Sequence, residues 1–116
     1  MIRLQDLATR RCRPAAEKSW AVFSGGDVAG SVRLKREAPT DVLSAETGIW
    51  LGRNFRSRGI ARAALALVLE EARMAGLQRV TARTLAGNLK AQRLLVAAGA
   101  VLTFDDDGTV HAAVDL

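Results

Sequence analysis

Four arginines, Arg53, Arg56, Arg58 and Arg62, fall within ten residues of one another, with Gly59 and the small Ala61 among them. The planar guanidinium fork suits phosphate and carboxylate. A glycine next to a small residue lets the main chain approach such an anion closely. Just ahead of a helix, the first amides have no intrahelical acceptor and the dipole is positive, so an anion belongs there. Residues 56–62 therefore read as a backbone-amide cradle for a phosphate group. His111 is the only histidine and is open to two readings, a general base or an ordinary strand or surface residue. Cys12 is the only cysteine, which excludes an intrachain disulfide and a cysteine-based zinc site. No metal centre is expected.

At 116 residues the chain is expected to be one domain with one modest core, leaving about a third of its surface unburied. The balance of 49% apolar and 25% charged residues is that of a folded globular chain. No apolar run approaches the ~18 residues that cross a bilayer, and Met1 to Asp6 lacks the apolar stretch of a signal peptide. A cytoplasmic protein without a membrane partner is the expectation. The formal charge of +5, with 14 of 17 cations arginine, predicts an anionic partner. With no Tyr, three Phe and two Trp, platforms for base stacking are scarce. A phosphorylated small molecule accounts for the charge as well as nucleic acid does, and nucleic acid is not expected.

The elements that must position these residues follow from periodicity. Met1 to Leu7 reads as an edge strand before a basic turn around Arg13 and Pro14. Trp20 to Phe23 and Val28 to Leu34 flank Ser24-Gly25-Gly26-Asp27, the pattern of a hairpin. Lys35 to Leu43 carries Pro39 and no period, which predicts a loop before a strand from Ala45 to Leu51. Arg58 to Ala75 is rich in helix formers and is followed by Gly76, which predicts a five-turn helix. Its apolar arc, including Leu67 and Met74, is wide enough to predict deep burial. A strand at 77–84, an N-cap at Asn88, a helix with Ala91, Leu94, Leu95 and Ala98 on one face, and a closing hairpin of 101–104 with 109–114 complete the chain. Strands, helix, strand, helix and two strands predict an α/β (α+β) mixed sheet with the helices packed on its faces.

Arg56-x-x-Gly59-x-Ala61 resembles the Gln/Arg-x-x-Gly-x-Gly/Ala signature of the GNAT superfamily of N-acetyltransferases, which bind acetyl-CoA through its pyrophosphate. Ala45 to Leu51 resembles the strand that leads into that signature in the ribosomal-protein N-terminal acetyltransferase branch, and Asn88 to Ala100 resembles the family's second helix. The resemblance implies a GNAT-like, mostly antiparallel sheet with two main helices. It also implies main-chain contacts from Leu51 and Arg53 to the acetyl and pantetheine end of the cofactor. Amides of Ser57, Arg58, Gly59, Ile60, Ala61 and Arg62 would hold the pyrophosphate, assisted by the Arg56 or Arg58 side chain, with Asn88 on the pantetheine arm. Asn88 as a plain N-cap is compatible with that role.

In such a family an amine attacks the thioester directly, so the site needs a base, an oxyanion donor and a proton for the thiolate. A bulge near Trp50 and Leu51 would free a backbone amide as the donor. Glu46 is the candidate base, acting through water; it reads equally as a strand-end carboxylate paired with an arginine. Relatives protonate the sulfur with a tyrosine on the second helix, whereas Leu95 or its neighbourhood occupies that place and the chain has no tyrosine. Ala8 to Lys18 is too short for the family's two N-terminal helices, so the acceptor wall looks reduced, and a homodimer through Leu89 and Val96 would restore it. Trp20 and Trp50 read as core residues or as the lining of an acceptor pocket. The expected activity is acetyl transfer from acetyl-CoA to a primary amine, a protein N-terminus or a small molecule. A reduced domain that binds CoA without efficient catalysis is the alternative.

Overall fold

A computed structural model describes residues 1–6, 17–38 and 41–116. The strands β1 (Ile2–Asp6), β2 (Glu17–Ser24), β3 (Asp27–Ala38) and β4 (Asp41–Leu51) form an antiparallel meander. A 3₁₀ turn (Arg53–Phe55) leads to α1 (Ile60–Met74), then β5 (Arg79–Leu85), α2 (Leu89–Ala97), β6 (Val101–Phe104) and β7 (Thr109–Asp115). The sheet order is β1-β2-β3-β4-β5-β7-β6, with β4 and β5 the parallel pair and every other neighbour antiparallel. This is the mixed, mostly antiparallel sheet with two helices that the sequence predicts.

Register shows why one core suffices. Trp20, Val32 and Ile49 are cross-strand partners, as are Ala45, Val80 and Val114, and all point to one face. On that face α1 buries Ile60, Ala64, Leu65, Val68, Leu69 and Ala72. Leu95 of α2 joins the same cluster. Both helices thus cover one side of the sheet rather than one side each.

The helices stop where glycine permits it. Gly76 has φ +84, its N–H donates to Arg73 O at 3.0 Å, and the Leu77 N–H donates to Ala72 O at 3.0 Å, which closes α1 with paired last carbonyls. Gly99 (φ +97) does the same for α2, with the Ala100 N–H on Leu95 O at 3.0 Å. Leu67 and Met74 are exposed, so the buried arc of α1 is narrower than its composition suggested. A single sheet face can cover only one side of a helix.

Two further expectations are corrected. Most of the expected loop is strand: β3 continues through Lys35 to Ala38 and β4 begins at Asp41, a ladder in which Arg36 still pairs with Ala45, and residues 39–40 lie outside those described. Cross-strand pairing overrides the missing apolar alternation. Trp20 is buried as a core residue, but Trp50 is 61% exposed, because the register places it with Ser31 on the face without helices. The expected shortening of the N-terminal helices falls on Ala8 to Lys18; residues 8–16, Cys12 included, lie outside those described, and Glu17 and Lys18 open β2.

Candidate active site

The parallel ladder of β4 and β5 is short. It joins Ser44 to Arg79, Ala45 to Val80 and Glu46 to Thr81, and ends there. Beyond it β5 stays with β7 as far as Leu85, while β4 stays with β3 as far as Leu51. The two strands part, and a wedge opens at the centre of the sheet.

The alternation of the β3–β4 ladder decides which groups face that wedge. The Gly52 N–H donates to Ala29 O at 2.8 Å, which makes the adjacent Gly30 and Leu51 a non-hydrogen-bonded pair. Leu51, and by the period of two Ile49, therefore turn their N–H and C=O groups away from β3 and into the gap that β5 leaves. No register shift occurs near Trp50 and Leu51, so the expected bulge is absent from this ladder. Its purpose, a free amide, is served by the parting of the strands. Gly30 is required beside it, because a Cβ at that position would lie 1.9 Å from Trp50 O.

After Leu51 the chain turns toward α1. Arg56 Nε donates to Leu51 O at 3.1 Å, and Arg58 Nη1 donates to Asn54 O at 3.1 Å while its guanidinium lies 5.6 Å from the Phe55 ring centroid. Both side chains brace the loop on itself. Ser57 (φ +60) and Gly59 (φ +77) are left-handed, and the first helical bond is Ala63 N–H to Gly59 O at 3.2 Å. Among the described residues, the amides of 57–62 have no acceptor and α1 has no side-chain cap. Six consecutive donors at the positive end of a 15-residue helix of about four turns form an anion nest. With Gly59, the residues at this corner fit a diphosphate.

Lys90 is the residue that sequence reasoning missed. Its Nζ donates to Ser57 Oγ at 3.0 Å, tying the first turn of α2 to the nest across 33 residues. Only its place two residues after the N-cap hinted at it. Asn88 does cap α2, accepting from the Ala91 N–H at 3.1 Å. Gln92 Nε2 holds the preceding turn by donating to Leu85 O at 3.1 Å and Ala86 O at 2.8 Å.

The structure thus brings Leu51, Arg56, residues 57–62 and the start of α2 together. Arg53 is exposed in the 3₁₀ turn. The Arg62 side chain departs from the nest and lines a groove between α1 and α2 with Ala66 and Leu94. Glu46 lies on the opposite sheet face from Leu51. Arg83 Nε donates to its Oε2 at 2.7 Å and Arg83 Nη2 to its Oε1 at 3.3 Å, so the paired-carboxylate reading of Glu46 holds geometrically. The remaining lone pairs of that carboxylate are still able to accept a proton. His111 Nε2 is 2.7 Å from Asp105 Oδ2. Leu95 is buried in the core, so its position presents no side chain to the wedge.

A sheet parted beside a helix that begins with unpaired amides defines a domain built to hold an extended phosphorylated ligand. Residues 3–101 match the acetyltransferase (GNAT) domain, and the chain belongs to that family. It is 29% identical over 99 residues to the acetyltransferase Pat of Mycolicibacterium smegmatis, a match covering 84% of this chain and 29% of that protein. The GNAT domain of S. lividans PAT superposes with a TM-score of 0.77 at 26% identity, covering 87% of this chain and 61% of that one. The yncA protein of Salmonella typhimurium, solved with its cofactor acetyl-CoA, superposes at 0.78 with 18% identity over 86% of this chain and 65% of its own. The chain therefore spans under a third of its curated relative's length. No helix among the described residues is long and apolar enough to cross a membrane.

Proposed function

We propose that the chain transfers acetyl from acetyl-CoA to a primary amine, a protein N-terminus or a small molecule, by direct attack on the thioester. The observation that carries this reading is two sets of free main-chain donors linked by the Arg56 Nε bond to Leu51 O. The amides of 57–62 suit the diphosphate, and the Leu51 N–H in the wedge suits the thioester carbonyl. Acetyl-CoA supplies the activated acyl group, and Asn88 and Lys90 flank its path. As the amine nitrogen bonds to the carbonyl carbon, the Leu51 amide stabilises the oxygen on which charge develops. Glu46, at the closed end of the wedge, takes the amine proton through water, and solvent returns a proton to the sulfur.

The same reading assigns residues 1–116 to a single cytoplasmic domain. Ala45 to Leu51 supports a place in the ribosomal-protein N-terminal acetyltransferase branch. Leu89 and Val96, both more than half exposed, are contacts for a homodimer. A second reading, CoA binding without efficient turnover, is favoured by the buried Leu95 and a chain with no tyrosine.

Thermal unfolding with acetyl-CoA and thiol release across a panel of amines separate these readings. At a hundredfold excess over its dissociation constant the cofactor should stabilise the chain by ~2.7 kcal/mol. Gly59→Glu should abolish that shift, since the residue sits at φ +77 and adds a negative charge to the nest, while its Cβ meets nothing within 4 Å. An unchanged shift overturns the cradle. Glu46→Gln should keep the shift and lower kcat by about 100-fold.

A further inference from the structure

We infer that the acceptor carries an anion: the substrate class is a primary amine bearing a carboxylate or phosphate group, held on the sheet face that lacks helices. This rests on the acetyl-transfer reading above. On that face a cavity of about 450 Å³ opens beside the closed end of the wedge, a volume suited to a small molecule. Register builds its polar floor. Lys35, Glu46 and Thr81 are successive cross-strand partners, and Arg83, His111 and Thr103 form the next row.

The charges in this lining decide the ligand. Among the described residues of the lining, Lys35, Arg36, Arg83 and His111 contribute basic groups, and Glu46 is the only carboxylate. Both Glu46 oxygens already accept from Arg83. Asp105, outside the lining, is within hydrogen-bond distance of His111. Among the described residues, Lys35 Nζ and Arg83 Nη1 have no acceptor. The order across the strands is thus cation, carboxylate, cation.

An acceptor that is only a cation, such as a polyamine, meets Lys35 and Arg83 before it meets Glu46, and like charges at this range repel. A zwitterion matches the order. Its nitrogen faces Glu46 and the wedge, while its anion accepts from Lys35 Nζ and Arg83 Nη1, the charge-assisted class of hydrogen bond. The unprotonated amine needed for attack then forms next to the carboxylate that removes its proton.

Matched acceptors test this with the wild-type chain and acetyl-CoA: β-alanine against propylamine, phosphoethanolamine against ethanolamine, and spermidine. The anionic member of each pair should have kcat/KM higher by at least about tenfold, the factor supplied by one charge-assisted bond. Lys35→Ala should collapse that ratio toward one, mainly through KM, with the acetyl-CoA thermal shift retained; Lys35→Glu should invert it. A gain with β-alanine alone assigns a carboxylate, and with phosphoethanolamine alone a phosphate. Preference for spermidine or the neutral amines, or a ratio that survives Lys35→Glu, overturns the inference. Direct titration keeps the two readings apart. A chain that releases no thiol yet binds β-alanine or phosphoethanolamine through Lys35 sinks acetyl transfer and keeps the anion site; one that turns over amines but binds neither does the reverse.

Discussion

Arg56 Nε donates to the carbonyl oxygen of Leu51 at 3.1 Å, so the arginine of the signature holds the end of β4 rather than reaching out for phosphate. The bond closes the connection between the wedge and the nest, fixing the distance between their two sets of donors.

Arg56→Ala is therefore expected to weaken acetyl-CoA binding by about tenfold or more, the range for a hydrogen bond to a charged group. The salt dependence of binding should match wild type, because the lost contact is internal. Calorimetric titration at two ionic strengths checks both. A flatter salt response in the variant would mean that the guanidinium contacts phosphate directly.

Gly30→Ala should be among the costly single changes. Its Cβ would lie 1.9 Å from Trp50 O and 2.8 Å from the Leu51 Cα, both backbone atoms unable to swing aside. A loss of about 1–3 kcal/mol is expected on denaturant unfolding, as for overpacking, accompanied by weaker acetyl-CoA binding because the end of β4 must shift. Gly26→Ala, with nothing within 4 Å of its Cβ, is the control that should leave both nearly unchanged.

Leu95→Tyr, which places the family's usual acid at this position, should not raise kcat. Leu95 is buried in the core cluster, so the larger ring is expected to cost about 1–3 kcal/mol of stability. Denaturant unfolding together with thiol release under saturating acetyl-CoA reads the outcome.

Asp107 provides a pH marker for the closing hairpin. The Thr109 N–H donates to its Oδ1 at 2.9 Å, and this bond holds the carboxyl below its ordinary value. The folded value is depressed, so the contribution is present above the unfolded aspartate range and is lost as pH falls through the folded value. Carboxyl chemical shifts followed by NMR should show Asp107 titrating below exposed aspartates. Thr109→Pro, which removes the N–H, should bring it back to the ordinary range.

Local chemistry made much of the domain legible in the chain. Gly76 and Gly99 mark helix ends because few other residues adopt a left-handed backbone, and Asn88 marks a start because its short side chain reaches an unpaired amide. The same locality exposed the nest: glycine, small residues and unpaired first amides all lie within seven residues of each other. Where pairing across strands competed with local pattern, the local reading failed, as at Lys35 to Ala38 and Asp41 to Leu43.

Tertiary structure decided what depends on partners far apart in sequence. The freedom of the Leu51 amide comes from two strands parting after Glu46 and Thr81, and no residue type encodes that divergence. Lys90 meets Ser57, and Arg83 meets Glu46, only because register and helix placement bring them together. Trp50 read as core or as pocket lining until that register turned it outward, and both helices chose one face because a single apolar cluster unites them. The chain alone determined the kind of ligand its amides can hold. The fold determined where the reacting atoms meet and which charges surround the acceptor, since both are sums over neighbours that sequence order does not reveal.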